Sequence, residues 1–209
     1  MNPRKTWLAL FAALALLAVI AAGCGGGENT GSKKISSGNR TDAAFIADMT
    51  AHHQGAIDMA KLAEKQADHA NVRKLAGDII SAQRGEIATM KAVRDDMQSA
   101  DMHGGGHMGM SQHARGMDMD MAALEKARPF DRAFIDAMVR HHEGAVAMAK
   151  TELVNGTQPA LRKMAQNIIA AQTKEIAQMK QWRKAWYGSG TVPGDMGGHG
   201  STDDMDMGG

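Results

Sequence analysis

The chain of 209 residues has little of what marks several common protein classes: one cysteine, four prolines and an aromatic content of 4%. A single cysteine excludes an intrachain disulfide framework. A formal net charge of +1 argues against a nucleic-acid partner, because such proteins neutralise phosphates with a basic surface. The few aromatic residues are untypical of a β-sandwich or β-barrel. The length indicates one domain with appended segments.

Sequence motifs of enzymes are also missing. We find no nucleophile triad, phosphate-binding loop or nucleotide-binding fingerprint. Ferritin-like di-metal oxidases use bridging carboxylates and a Glu-x-x-His pair on one helix. This sequence has no such pair, and only Glu86 and Glu175 lie centrally in predicted helices. We therefore expect a protein without enzymatic activity, with a ferritin-like metalloenzyme as a weaker alternative.

The N-terminal region predicts export and lipidation. A short basic segment precedes an apolar run over residues 8–22, whose 15 residues are fewer than the roughly 20 of a membrane span. The run leads into Ala-Ala-Gly followed by Cys24, which resembles a bacterial lipoprotein processing site, although alanine stands where leucine is preferred. We predict a signal peptide over 1–23, a lipid on Cys24 that anchors the protein outside the cytoplasm, and a flexible tether over 24–40. The alternative is an ordinary signal peptide with an incidental cysteine.

An internal repeat dominates the remainder of the chain. AHHQGAIDMAK at residues 51–61 is matched by RHHEGAVAMAK at 140–150, and RKLAGDIISAQRGEIATMK at 73–91 is matched by RKMAQNIIAAQTKEIAQMK at 162–180. Every matched position lies 89 residues after its counterpart, without a gap. The composition, rich in Ala, Met, Lys, Gln and Glu, and the spacing of apolar residues predict two helices in each unit.

Two such hairpins can bury their apolar stripes only against each other. The sequence therefore predicts an all-α protein, an antiparallel four-helix bundle made of two repeated helical hairpins. We place the bundle domain at 41–187, with hairpins at 41–98 and 129–187, a linker at 99–128 and a tail at 188–209.

Candidate helix ends accompany this prediction. Thr41, Asn71 and Thr157 are predicted N-caps, because their side chains can accept hydrogen bonds from the first backbone N–H groups. Pro129 is placed where a first-turn proline is tolerated, and Gly188 is predicted to end the last helix.

Polar residues fall on or beside the predicted apolar stripes. A 100° helical wheel places His52 and His141 within the stripes and their neighbours His53 and His142 on the shoulders. Four further polar residues face inward from the second helix of each hairpin: Gln83, Glu86, Gln172 and Glu175. They form either a closed hydrogen-bond network that sets the register of the bundle or part of a metal site. The spacing alone does not distinguish the hydrogen-bond network from the metal site.

The repeated pattern M-x-x-H-H-x-x-A-[IV]-x-M-A, followed by Q-x-x-E-I-x-x-M, resembles the bacterial domain-of-unknown-function 305 family over residues 42–97 and 131–187. The family is described as ferritin-like four-helix bundles, and at least one extracytoplasmic member binds copper and is linked to copper tolerance. The resemblance implies the fold directly and the function only loosely. The metal ligands that it implies are His52, His53, Met49, Met59, His141, His142, Met138 and Met148.

The linker and the tail concentrate methionine, histidine and glycine. Neither has a helical apolar stripe, so we expect both to be disordered and core packing not to explain their methionines. Thioethers are soft ligands that suit Cu(I) and Ag(I) outside the cytosol, where cysteine is oxidised, and imidazole adds capacity for Cu(II) or Zn(II). An oxidant sponge and compositional drift are the alternatives. The candidate ligands are His103, His107, Met108, Met110, His113, Met117, Met119, Met121, Met205 and Met207.

These features together predict a lipid-anchored, extracytoplasmic protein that binds copper, as Cu(I), Cu(II) or both, or silver, and sequesters or delivers it. The alternative is an interaction lipoprotein with a purely structural core network. In it, Trp182, Trp186 and Tyr187 near the end of the last helix dock a partner instead of capping the bundle. No protein partner can be named. The ordinary imidazole pKa predicts that metal binding by the core histidines weakens below about pH 6.5.

Overall fold

Five helices make up most of the described chain, which comprises residues 37–99, 107–112 and 115–194 of a computed structural model. They are α1 (Ser37–Gln66), α2 (Ala70–Ser99), α3 (Met121–Lys126), α4 (Phe130–Asn155) and α5 (Pro159–Tyr187). These ranges contain no strand. The pairs α1/α2 and α4/α5 form two hairpins that meet along α1 and α4, whereas α2 and α5 approach each other at few positions. The predicted all-α four-helix bundle is confirmed. None of the described helices combines the length and apolarity needed to cross a membrane.

The apolar core consists of two clusters separated by the histidine pairs. Along α1, the pair lies between Met49 of the second cluster and Ala56 of the first, and along α4 it lies between Val139 of the first and Ala145 of the second. The largest side chains in both clusters are fully buried, and each contributes roughly 1.5–3 kcal/mol by leaving water. The polar centre is therefore enclosed by apolar layers along the bundle axis.

Each hairpin turn is capped by an aspartate from the other hairpin. The carboxylate of Asp131, in the first turn of α4, accepts hydrogen bonds from the backbone N–H groups of Asp68 (2.9 Å) and His69 (2.8 Å). Asp42 lies 89 residues earlier on α1 and accepts in the same way from the backbone N–H (2.9 Å) and the hydroxyl (2.7 Å) of Thr157. The duplicated aspartates therefore join the two hairpins at both ends of the bundle.

The three predicted N-caps are wrong. Helix α1 begins four residues before Thr41, Asn71 lies inside the first turn of α2, and Thr157 precedes the N-cap residue of α5. At α2 and α5, a carboxylate from the other hairpin accepts from the backbone N–H groups at the start of the helix, so no local cap is required there. Pro129 is the N-cap residue of α4. Gly188 ends α5 with a φ of 79°, as predicted.

Asp131→Ala is expected to lower the free energy of unfolding by about 3 kcal/mol, because it leaves two N–H groups without a charged acceptor. Urea denaturation at pH 7 measures this loss. The matched control is Asp120→Ala, which removes a cap within one short helix by deleting the acceptor of the Ala123 N–H. Its expected cost is about 1 kcal/mol. Equal losses in the two variants would show that the cap between the hairpins contributes no more to the free energy of unfolding than a cap within one helix.

The described part of the linker is ordered, which corrects the prediction of a disordered segment. Leu124 of α3 is 3% exposed. Met119 and Met121 pack against the first apolar cluster, and Met108 and Met110 pack against the second. These side chains cover apolar surface that the hairpins leave open, which requires no helical period in the linker itself. The expectation that core packing cannot explain the linker methionines is wrong for these four.

The aromatic residues at the end of α5 close one end of the bundle. Trp186 stacks on His69 with ring centroids 3.7 Å apart and planes 6° apart, and Trp182 stacks on Trp186 at 5.6 Å. Both tryptophans are half-buried against the first cluster. This packing favours the capping interpretation of these residues over the docking of a partner.

Candidate metal centre

Four histidines meet where α1 packs against α4. His52 and His53 on α1 and His141 and His142 on α4 are each at most 2% exposed. The rings of His52 and His141 lie with centroids 3.6 Å apart and planes inclined by 40°. Adjacent residues on a helix point about 100° apart, so the second histidine of each pair is directed to the other helix of its own hairpin. The structure thus brings the two predicted pairs into one centre.

The outer two histidines each contact a glutamate of their own hairpin. His53 Nε2 lies 2.8 Å from Glu86 Oε2, and His142 Nε2 lies 2.8 Å from Glu175 Oε2. A neutral imidazole that donates its Nε2 hydrogen to a carboxylate keeps a lone pair on Nδ1. Histidines that bind metals are commonly oriented by a carboxylate in this way. The histidine–glutamate contacts of the predicted polar network are therefore present in both repeats.

The predicted network is nevertheless not closed. Within the described ranges, the Nδ1 atoms of all four histidines are buried and have no hydrogen-bond partner, and the same holds for the amide oxygens of Gln83 and Gln172. A buried polar atom without a partner costs about 1–3 kcal/mol. No three histidine, cysteine or acidic side chains of these ranges converge as a metal site. A metal centre here would therefore need methionine or amide ligands as well.

The inner two histidines are held in the neutral form. Burial and, second, the charge of His53 lower the pKa of His52 to about 3. Burial and the charge of His52 lower the pKa of His141 well below 6.5. Because burial lowers the pKa of both imidazoles, we now expect metal binding by these two histidines to persist below pH 6.5, in contrast to the expectation from the ordinary imidazole pKa. Their buried environment keeps the nitrogen lone pairs available in mild acid.

A pocket of about 200 Å³ connects this centre to the linker. His141 and Met59 contribute from the bundle, and three half-buried methionines contribute from the linker. The lining residues are Gly55, Met59, Met117, Met119, Met121 and His141. Core histidine and linker methionines had been predicted as two separate groups of candidate ligands, and the fold places members of both around one space.

Arg115 holds the linker in this position. Its backbone carbonyl accepts a hydrogen bond from His52 Nε2 at 2.8 Å, and its guanidinium donates to Asp48 Oδ1 at 2.8 Å. Asp48, which is 2% exposed, also contacts His107 Nδ1 at 2.6 Å and accepts from the Met108 N–H at 2.8 Å. Sequence reasoning did not identify Asp48 or Arg115, because neither has a counterpart at the 89-residue offset.

Two glycines permit the close approach of the linker to α4. A Cβ atom on Gly144 would overlap the Arg115 carbonyl, and a Cβ atom on Gly116 would overlap the backbone of Arg140. Gly116 also has a φ of 67°, which disfavours residues with a side chain. The sequence did contain a signal for Gly144, since a glycine follows the histidine pair by two residues in both repeats.

The remaining predicted ligands are not gathered at this pocket. Met49, Met138 and Met148 are fully buried in the apolar clusters. Met108 and Met110 cover the second cluster, and His107 contacts Asp48 while its side chain is 79% exposed. The predicted lipid site and four predicted ligands lie outside the described residues: Cys24, His103, His113, Met205 and Met207.

Comparison with known families identifies the chain's relatives. The profile of the family described as "Domain of unknown function (DUF305)" matches residues 42–208. The chain belongs to the DUF305 family. The resemblance found in the repeated histidine motif is thereby confirmed. A comparison with functionally curated proteins found no significant match.

Solved structures of DUF305 proteins share the fold. CopM in a Cu(I)-bound form is 41% identical, with 70% of this chain and 98% of that chain covered and a TM-score of 0.60. CopM in an Ag-bound form gives the same values. A DUF305 fragment from Deinococcus radiodurans is 30% identical, with coverages of 68% and 93% and a TM-score of 0.56. A DUF305 protein from Streptomyces coelicolor is 26% identical, with coverages of 70% and 92% and a TM-score of 0.61.

Proposed function

We propose that this protein binds copper and that its main Cu(I) site is the pocket between His141 and the linker methionines. The observation that carries the proposal is the convergence of four thioethers and one imidazole around about 200 Å³. Cu(I) and Ag(I) prefer such soft, uncharged ligands. CopM, which is 41% identical to this chain, has been crystallised in Cu(I)-bound and Ag-bound forms.

The charge distribution of the pocket supports a monovalent soft ion. Its lining consists of glycine, methionine and one histidine whose pKa is lowered well below 6.5 by burial. None of these groups is charged at neutral pH, so a hard divalent cation would lose its water without gaining an anionic ligand. Cu(I) carries one charge and accepts uncharged thioether ligands, so it needs no anionic ligand from this pocket. The buried Nδ1 atoms of the histidine pairs are the second set of ligands that we assign to copper, including Cu(II), which CopM also binds in one of its solved forms.

The cellular role that fits this chemistry is copper sequestration or delivery outside the cytoplasm, without enzymatic activity. The N-terminal sequence up to Cys24 favours a lipoprotein anchored to the membrane. The Streptomyces coelicolor relative, which is described as a candidate secreted protein, supports an extracytoplasmic location. Methionine ligands suit that compartment because cysteine thiolates are oxidised there.

Replacing Met117, Met119 and Met121 together by leucine is expected to weaken Cu(I) binding by at least about tenfold. That is the lower end of the effect of altering the surroundings of a metal site, and this variant removes ligands. Leucine preserves the size and apolarity that pack the linker, so the helicity should remain. The measurement is an anaerobic titration against a competing Cu(I) chelator, repeated with Ag(I).

The matched control replaces Met108 and Met110 by leucine. These two methionines belong to the same linker but cover the second apolar cluster, away from the pocket. The control should retain the parent affinity. Equal losses in both variants, or parent affinity in the triple variant, would show that Cu(I) is held elsewhere and would overturn the proposed site.

A further inference from the structure

A second, much smaller pocket lies between α2 and α5, on the far side of the histidines from the linker. It has a volume of about 20 Å³, which is enough for one water-sized species. Its lining consists of four pairs related by the 89-residue repeat: Ile79 with Ile168, Ala82 with Ala171, Gln83 with Gln172, and Glu86 with Glu175. Each copy of the repeat therefore contributes one half of the lining of this single site. Its polar part consists of two amides and two carboxylates.

The two amide oxygens of this pocket are buried acceptors. Gln83 and Gln172 are each 3% exposed, and within the described ranges their Oε1 atoms have no hydrogen-bond partner. Leaving both unpaired would cost about 1–3 kcal/mol for each atom. A species in the pocket that accepts electron pairs from oxygen would remove this cost for both at once.

The two carboxylates give the pocket its charge. Glu86 and Glu175 are about one quarter exposed, and each uses Oε2 to accept from a histidine of its own hairpin. The two side chains approach the same small space from facing helices. Like charges at such a site repel, and a cation between them reverses the sign of the interaction. The histidine contacts orient the carboxylates as the outer partners of metal ligands do.

From this arrangement we infer that Glu86, Glu175, Gln83 and Gln172 bind one hard divalent cation of the Mn²⁺ class. Carboxylate and amide oxygens are the ligands that Mn²⁺, Mg²⁺ and Ca²⁺ prefer, whereas the copper pocket offers sulfur and nitrogen. The two sites use different residues, α2 and α5 for the hard cation and α1, α4 and the linker for copper. The cation would join the two hairpins where their helices otherwise make few contacts.

The test titrates copper-free, metal-free protein with Mn²⁺ at pH 7 and follows the electron paramagnetic resonance signal of free Mn²⁺. One Mn²⁺ per chain is expected to bind. Glu86→Gln with Glu175→Gln should weaken this binding by at least about tenfold, while the amide oxygens still accept from the histidines and keep the hairpins folded. Circular dichroism verifies the fold of each variant.

Two further variants locate the ion. Asp78→Asn with Asp95→Asn makes the same change of charge at exposed positions of α2 and should bind Mn²⁺ as the parent does. Gln83→Leu with Gln172→Leu removes only the amides and should also weaken binding. The inference is overturned if the parent binds no Mn²⁺, if the exposed pair causes the same loss, or if the leucine variant binds normally. Replacing Met117, Met119 and Met121 by leucine should leave Mn²⁺ binding unchanged, so this test stands apart from that of the copper site.

Discussion

Gly144→Ala is expected to lower the Cu(I) affinity by about 10- to 100-fold and the free energy of unfolding by about 1–3 kcal/mol. The added Cβ would overlap the carbonyl group of Arg115, and a backbone group cannot rotate away as a side chain can. The same carbonyl accepts the hydrogen bond of His52. Moving it outward would break that bond and withdraw Met117 from His141. Chelator competition and urea denaturation measure the two effects.

A second helix glycine provides the control. Gly85 lies on α2, and a Cβ added there meets no atom of the described chain within 4 Å. Gly85→Ala should keep the Cu(I) affinity and raise the free energy of unfolding by about 0.5–1 kcal/mol, because alanine is the better helix former. Parent-like Cu(I) binding by Gly144→Ala would show that the position of the linker on α4 does not matter for the site.

The metal-free protein is expected to lose stability as the pH falls from about 6.5 towards 3. The pKa of His52 is lowered from 6.5 to about 3, chiefly by burial. Between these two values the unfolded chain binds more protons than the folded chain, so acid favours unfolding. At pH 4.5 this histidine alone reduces the free energy of unfolding by about 3 kcal/mol relative to pH 7. His141, whose pKa is lowered for the same reason, acts in the same direction.

Urea denaturation at pH 7 and pH 4.5 tests this, with His52→Gln combined with His141→Gln as the comparison. The variant cannot titrate at these positions, and glutamine can still donate to the Arg115 carbonyl, so the acid-induced loss should largely disappear. Glu152 contributes with the opposite sign, because burial and the neighbouring Asp42 raise its pKa to about 9. That contribution is common to both proteins and cancels in the comparison. An unchanged pH dependence in the variant would show that these histidines are not the acid-sensitive groups.

The sequence by itself determined the four long helices, their pairing into two hairpins and the inward direction of the histidines. All of these depend on information carried within one helix or on the gapless duplication. Phe45, Met49, His52 and Ala56 follow one another at intervals of four, three and four residues and define a buried stripe. The 89-residue offset then predicts that the second hairpin repeats the first, so His141 faces the core as His52 does.

Only the tertiary structure decided which groups meet at the candidate sites. Asp42 accepts from the backbone N–H of Thr157, which lies 115 residues later along the chain, and His52 donates to the carbonyl of a residue 63 positions away. Contacts of this kind join different helices, so no helical period or local motif encodes them. The same holds for the placement of Met117 beside His141. There the burial of apolar linker side chains outweighed the entropic preference of a glycine-rich segment for disorder, because the surface that they cover exists only once the two hairpins have packed.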